Sequence, residues 1–264
     1  MSTLQDSSGL AAAPAPLVAS DLAMGDLVEA LRAGWADFCA MPQFGLFFGG
    51  VYVAAGLLAG YAAFVLQELS WLIPATAGFP LVAPFVAVGL YAASRARAAG
   101  DRVRWGRVLG ALKGHGDDQI LSMGVIVFVA FGFWMIVAHA IFAIFMAQSG
   151  VSAHGGVGLL TALLTPAGLA MLVIGTAVGA AMAYAFYAMT VISLPLLVDR
   201  KLDFLTAINA SLQCVKRNPL VMLTWAAIIA GLLGLAMLPA FLGLFVALPV
   251  LGHATWHLYA RAVH

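Results

Sequence analysis

The sequence predicts an all-α membrane protein with six transmembrane helices in three hairpins, each preceded by a cytoplasmic interfacial amphipathic helix. Of its 264 residues, 64% are apolar and only 9% are charged, whereas soluble proteins are about half apolar and a quarter charged. The apolar residues come in blocks of about twenty, the length at which a helix crosses a hydrocarbon layer of about 30 Å. Between the blocks, Lys and Arg fall on one side only.

The first four apolar blocks each contain one predicted span: Gln43 to Leu66, Ile73 to Ser94, Ile120 to Ala147, and Leu159 to Leu194. The stretch from Leu220 to His257 is long enough for two helices, and Pro239 and Gly243 interrupt it. Because proline cannot continue a helical hydrogen-bond ladder, this stretch predicts a helical hairpin that supplies the fifth and sixth spans.

The basic residues predict the orientation, because Lys and Arg accumulate in short cytoplasmic loops. All twelve of them fall on the side that carries both chain termini. We therefore expect a multi-pass protein of the bacterial inner membrane with its N- and C-termini in the cytoplasm. Six of these residues lie between spans two and three and are predicted to contact anionic lipid headgroups: Arg95, Arg97, Arg102, Arg104, Arg107 and Lys113.

Two polar segments, one before span one and one before span five, align with each other without a gap. Asp26, Leu27, Ala30, Leu31, Ala33, Trp35, Phe38 and Pro42 fall on Asp203, Phe204, Ala207, Ile208, Ala210, Leu212, Val215 and Pro219. Each segment predicts an aspartate N-cap, an amphipathic helix and a terminating proline. A weaker copy precedes span three, which predicts three repeat units at about 24–94, 101–194 and 202–261. These units form a single domain at 21–264, after a disordered cytoplasmic tail at 1–20.

Several stretches resemble one known family. They are LVAPFVAVGLYAASR from Leu81, SLPLLVDRKLD from Ser193, LPVLGHATWHLY from Leu248, and DFCAMPQFGLFFGG from Asp37. Together they resemble the bacterial integral-membrane family catalogued as domain of unknown function 2189, over nearly the whole chain beyond residue 20. The resemblance implies a bacterial membrane protein with the same six-helix architecture. It implies no activity and no catalytic residues.

Histidines are the first candidate ligands, because a polar residue inside a membrane is costly and is often functional. His253 and His257 lie four residues apart and so share one helix face, where two imidazoles can bind one metal ion. In the alternative, His253 hydrogen-bonds across a helix interface, while His257 meets lipid headgroups beside Trp256 and Tyr259. His139 is expected to be a packing residue. Three intramembrane histidines are too few for a haem-copper oxidase core.

Proline and glycine positions predict packing or gating features. Pro74, Pro80 and Pro84 predict a kinked or broken second span. In span four, Gly168, Gly175 and Gly179 predict a close helix contact. That contact is expected inside the bundle, with a partner helix as the alternative.

No catalytic constellation and no cofactor site is evident in the sequence, and no Asp, Glu, Lys or Arg lies deep in a predicted span. We therefore expect a non-enzymatic accessory, scaffold or assembly partner of a larger membrane complex. The expected partners are the lipid bilayer and other inner-membrane proteins or a respiratory complex, and not nucleic acid. The alternative is a channel or carrier for a small neutral solute, metal or lipid.

Overall fold

The computed structural model describes residues 16–64, 86–111, 118–147 and 164–264. In these ranges the chain is helical, apart from its connections and one isolated β-bridge. The helices are α1 (Met24–Ala40), α2 (Pro42–Phe64), α3 (86–98), α4 (Trp105–Gly110), α5 (Gln119–Ala147), α6 (Pro166–Thr190), α7 (Ser193–Asp199), α8 (Phe204–Arg217), α9 (Pro219–Met237) and α10 (Leu244–Ala262). The all-helical prediction is confirmed over these residues.

Three helical stretches in the described residues are long and apolar enough to cross a membrane: Gln119–Phe145, Pro166–Asp199 and Pro219–Met237. A fourth candidate joins α1 to the start of α2, and this pair is bent by 100°. The helix α10 is not among the candidates, because His253, His257 and Arg261 lower its hydropathy. The described residues therefore show three spans, or four if the bent pair counts as one.

Several predicted boundaries agree with the helices. The helix α5 begins one residue before predicted span three and ends with it. Residues 238–243 form a turn between α9 and α10, as the interrupting Pro239 and Gly243 predicted. There Ala240 and Phe241 adopt positive φ angles of 50° and 65°. Of predicted span two, only 86–94 is described, and its helix continues to residue 98.

The core lies mainly at one end of the bundle, here called the polar end, which contains Asp37, Ser94, Asp199, Asn218 and the C-terminus. The buried hydrophobic residues of the larger cluster come from the N-terminal segment, α1, α3, the start of α5, the end of α6, and helices α7 to α10. In contrast, no residue is buried in the most apolar window of Pro166–Asp199. The protein is therefore closely packed at the polar end and open to its surroundings along α6.

The N-terminal segment pairs with the C-terminus. Val18 and Val263 form an antiparallel bridge, and the amide of His264 donates to the carbonyl of Leu17 at 3.0 Å. The guanidinium of Arg217 donates to the carbonyl of Val18 at 2.8 Å. Part of the predicted tail at 1–20 is thus held against the polar end, while residues 1–15 lie outside the described residues.

The two aligned segments form α1 and α8, and they differ at their N-termini. Asp203 is the N-cap of α8, as predicted, and accepts a hydrogen bond from the amide of Thr206 at 2.8 Å. The same prediction for Asp26 was wrong: Ala23 is the N-cap of α1. Asp26 instead accepts from the Ala23 amide at 2.8 Å, so its carboxylate stabilises the first turn from inside the helix.

Candidate functional site: a buried polar network

A close approach of two backbones brings α1 onto α10. A Cβ atom at Gly34 would lie 2.6 Å from the amide nitrogen of Ala254 and 2.6 Å from the carbonyl oxygen of Val250. On the other side of α10, a Cβ at Gly252 would lie 2.6 Å from a methyl carbon of Leu90 in α3. These two glycines let α1, α10 and α3 meet, and Asp37 lies one turn beyond Gly34 at this junction.

The junction is filled by a hydrogen-bonded network of five side chains. Asp37 is 1% exposed, and Ser94 and His253 are fully buried. The hydroxyl of Ser94 donates to Oδ2 of Asp37 at 2.5 Å, and the same oxygen contacts Nε2 of His257 at 2.9 Å. Oδ1 of Asp37 accepts a hydrogen bond from Arg97. Three helices therefore converge on one carboxylate.

The network determines which nitrogen of His253 carries a hydrogen. Ser94 has one hydroxyl hydrogen and donates it to Asp37, so its oxygen accepts from Nδ1 of His253 at 2.7 Å. A neutral imidazole with a hydrogen on Nδ1 has a lone pair on Nε2. That Nε2 atom is buried without a hydrogen-bond partner in the described residues.

The charge on Asp37 is compensated within the network. Burial disfavours a carboxylate, but the hydrogen bonds from His257 and Ser94 outweigh this effect and hold the pKa of Asp37 below its ordinary value. The guanidinium of Arg97, itself partly exposed, supplies the opposite charge. Removal of these partners is costly, because it leaves the buried charge of Asp37 uncompensated.

The order of the groups differs from that of a catalytic triad. In a triad, histidine lies between serine and aspartate and accepts the serine proton. Here Ser94 lies between His253 and Asp37, and its proton is directed to the carboxylate. The arrangement therefore holds Ser94 as a bridging group, and the geometry is suited to joining helices.

The predicted metal pair is part of this network. His253 bonds to Ser94, whereas His257 bonds to Asp37, so the two imidazoles serve different partners. No group of three or more metal-ligating His, Cys, Asp or Glu side chains occurs in the described part of the chain. Trp256 and Tyr259 do not form the aromatic belt expected beside His257, because both are buried and the Tyr259 hydroxyl donates to Asp199 at 2.8 Å.

Three of the six basic residues predicted to contact lipid headgroups form intramolecular ion pairs, and their contact with headgroups stays a prediction. Arg97 binds Asp37, and Arg95 binds Asp199 at 3.1 Å and the Val198 carbonyl at 2.7 Å. Arg107 pairs with Asp101 at the exposed surface. The remaining members of the set are Arg102 and Arg104, which are exposed, and Lys113, which lies outside the described residues.

The predicted packing positions are partly described. Gly179 faces α5, since a Cβ there would lie 2.9 Å from the ring of Trp134. Gly175 is more loosely placed, 3.9 Å from a methyl carbon of Ile141, and Gly168 is buried at the start of α6. Pro74, Pro80 and Pro84 lie outside the described residues. The expected packing residue His139 is exposed and contacts the Met135 carbonyl of its own helix at 2.8 Å.

Sequence reasoning missed Asp37 and Ser94. A signal for Asp37 was present, because the buried residues of α1 recur at helical spacing as Leu27, Ala30, Gly34, Asp37 and Phe38. A carboxylate on the apolar stripe of an amphipathic helix requires a partner. Ser94 had no comparable signal, because a serine near a helix end is common and its contacts depend on tertiary packing.

The comparison with curated proteins finds no match, and neither does the comparison with solved structures. A family model described as "Predicted integral membrane protein (DUF2189)" matches residues 72–199, just under half of the chain. The match includes Ser94 and Arg97 but ends before His253 and His257, and it begins after Asp37. The family that the sequence motifs suggested is therefore the one that matches, over residues 72–199, and the motifs from Asp37 and Leu248 lie outside the matched residues.

Proposed function

We propose that this protein is a non-enzymatic accessory, scaffold or assembly partner of a larger membrane complex, with a respiratory complex as the first candidate. In this proposal it has six spans and lies in the bacterial inner membrane with both termini in the cytoplasm. The pairing of Leu17 with His264 supports the placement of both termini on one side of the membrane. An even number of spans also places both termini on the same side.

The observation that carries the proposal is the open hairpin formed by α5 and α6. These helices pack mainly on each other, and the most apolar window of Pro166–Asp199 contains no buried residue. On α5, Val129, Phe133 and Ile136 are also exposed. Lipid can cover such a surface, but a partner helix can as well, because association in a bilayer depends on close packing more than on removal from water.

Glycines on the hairpin distinguish its inner and outer faces. Gly179 faces Trp134 inside the hairpin, whereas a Cβ at the exposed Gly132 would meet no atom within 4 Å. Small residues on an open helix face permit a second helix to approach closely. Gly132 is therefore a position at which a larger side chain can block a partner without disturbing the fold.

The test is purification from the native membrane in mild detergent at native abundance, with the tag on the N-terminus because the C-terminus is paired. We expect a polypeptide that co-elutes in stoichiometric amount with the parent protein. Gly132→Leu should lose that polypeptide and keep the parent elution volume. Gly60→Leu, which also enters open space on α2, is the matched control. A parent protein that elutes alone contradicts the proposal.

A channel or carrier for a small neutral solute, metal or lipid is the second proposal. For a neutral solute or a lipid it is supported by a cavity of about 240 Å³ between helices, where none of the lining residues that the structure describes is charged. Liposomes that contain the protein should then pass a small neutral solute faster than empty liposomes. Equal fluxes across a panel of such solutes contradict this second proposal and leave the first unaffected.

A further inference from the structure

The cavity between the helices has an unusual lining. It is bounded by residues of α3, α5, α6, α7, α9 and α10, and its volume is about 240 Å³. An engineered apolar cavity of about 150 Å³ is large enough to bind benzene, and drug-sized ligands occupy about 300–1,000 Å³. The space therefore fits one substituted ring and is too small for a large cofactor.

The polar groups of the lining are mostly satisfied by backbone carbonyls. The hydroxyl of Tyr187 donates to Met222 at 2.8 Å. Thr190 donates to Phe186, also at 2.8 Å, and Thr255 donates to the carbonyl one turn before it. These three hydroxyls have used their hydrogen atoms and can only accept further bonds.

Tyr91 is the exception. Its side chain lines the cavity and is 6% exposed, yet its hydroxyl has no hydrogen-bond partner in the described residues. Because this hydroxyl is not one of the fully enclosed polar atoms without a partner, it is accessible from the cavity. A molecule in the cavity that offers an oxygen acceptor would satisfy it.

We propose that this cavity is a binding site for a small uncharged molecule, the size of one substituted ring, whose oxygen accepts a hydrogen bond from Tyr91. The ring lies against apolar lining residues such as Val127 and Ile229. The described part of the lining has no charged side chain, which favours an uncharged ligand, because an unpaired charge there would be strongly unfavourable. The site does not depend on the contact role or on transport, and it is tested on the isolated protein.

The experiment measures binding of two probes to the protein in lipid nanodiscs, with empty nanodiscs as the reference for partition into lipid. Acetophenone carries a carbonyl acceptor, and ethylbenzene has a similar size and shape without one. We expect both to bind the parent protein in excess of the reference. Tyr91→Phe should weaken acetophenone binding about 2- to 10-fold, the effect of one hydrogen bond, and leave ethylbenzene binding unchanged.

Tyr61→Phe is a matched control, because Tyr61 is an exposed tyrosine on α2 that does not line the cavity. It should leave both affinities at the parent values. Equal acetophenone affinity in Tyr91→Phe and parent would overturn the assignment and indicate a space for an acyl chain. If neither probe exceeds the reference with folded parent protein, the cavity is not a ligand site.

Discussion

The helices α1 and α8 have matching burial patterns but use different chemistry to dock. At a constant offset, Ala30 corresponds to Ala207, Gly34 to Ser211, Asp37 to Cys214, Phe38 to Val215 and Met41 to Asn218, and every one of these residues is buried. The backbone at the two C-termini is also alike, with φ and ψ of −137° and 50° at Met41 and −127° and 54° at Asn218.

The partners of the two helices are what differs. The backbone of α1 touches that of α10 at Gly34, whereas α8 bonds to the end of α6 through Ser211. Its hydroxyl donates to the Ala188 carbonyl at 2.7 Å and accepts from the Ile192 amide at 3.2 Å. One turn later α1 has the charged Asp37, but α8 has Cys214, a thiol whose pKa burial raises to about 11. The same burial pattern thus supports an ionic contact in one case and a neutral contact in the other.

The largest expected effect comes from removal of the charge at this position. Asp37→Ala removes the carboxylate that accepts from Ser94, Arg97 and His257, and loss of several hydrogen bonds to one charged group costs about 3–5 kcal/mol. The free energy of unfolding, measured by SDS titration with circular dichroism, should fall by that amount. Cys214→Ala, the control at the equivalent position of α8, should cost about 1 kcal/mol. Equal losses in both variants would contradict the distinction between the two contacts.

The next effect concerns the backbone approach. Gly34→Ala places a Cβ atom 2.6 Å from backbone atoms of α10, and backbone cannot move aside as a flexible side chain can. We expect a loss of about 3 kcal/mol in the same titration, the upper part of the range for overpacking. The control is Gly25→Ala, because a Cβ at Gly25 in α1 meets no atom within 4 Å. A neutral result for Gly34→Ala would mean that α1 is not seated on α10 as described.

A smaller effect is expected at the junction after α8. The side chain of Asn218 accepts from the Leu22 amide at 3.1 Å and donates to the Ala19 carbonyl at 2.9 Å. Asn218→Ala should cost about 2 kcal/mol and release the N-terminal segment, which hydrogen exchange at Leu22 can detect. Met41→Leu, the volume-conserving change at the equivalent position, should cost under about 1.5 kcal/mol and leave that exchange rate unchanged. Slow exchange at Leu22 in Asn218→Ala would refute this role.

The smallest effect is at the N-cap of α8. Its hydrogen bond to Thr206 lowers the pKa of Asp203 from 3.8, so the stabilisation is present above that value and is lost as pH falls through the folded-state pKa. Asp203→Ala should cost about 1 kcal/mol at pH 7, and the difference from the parent should shrink below pH 4. Asp203→Asn, which keeps a capping oxygen, should show little loss. A difference that stays constant with pH contradicts the charged cap.

The sequence predicted those features that depend on neighbouring residues. Hydropathy predicted the apolar helix α5, and the interrupting Pro239 and Gly243 predicted the turn at 238–243. The N-cap at Asp203 was predicted from an aspartate directly before an amphipathic helix. The partner of Asp37 could not be predicted in this way, because Ser94, Arg97 and His257 come from helices far away in the chain. The N-cap prediction at Asp26 failed because an aspartate can also stabilise a helix start from its first turn, where it accepts from the amide of the N-cap residue.

The seating of α1 on α10 has a consequence for how the protein is made. When α8 leaves the ribosome, its docking site at Ala188 and Ile192 has already been synthesised. The docking site of Gly34, at Val250 and Ala254, is synthesised long after Gly34 itself. At about 5–20 residues per second, that interval lasts on the order of 10–40 seconds. Throughout it, Asp37 has no histidine partner from α10, so α1 can reach its final position only after α10 has been synthesised.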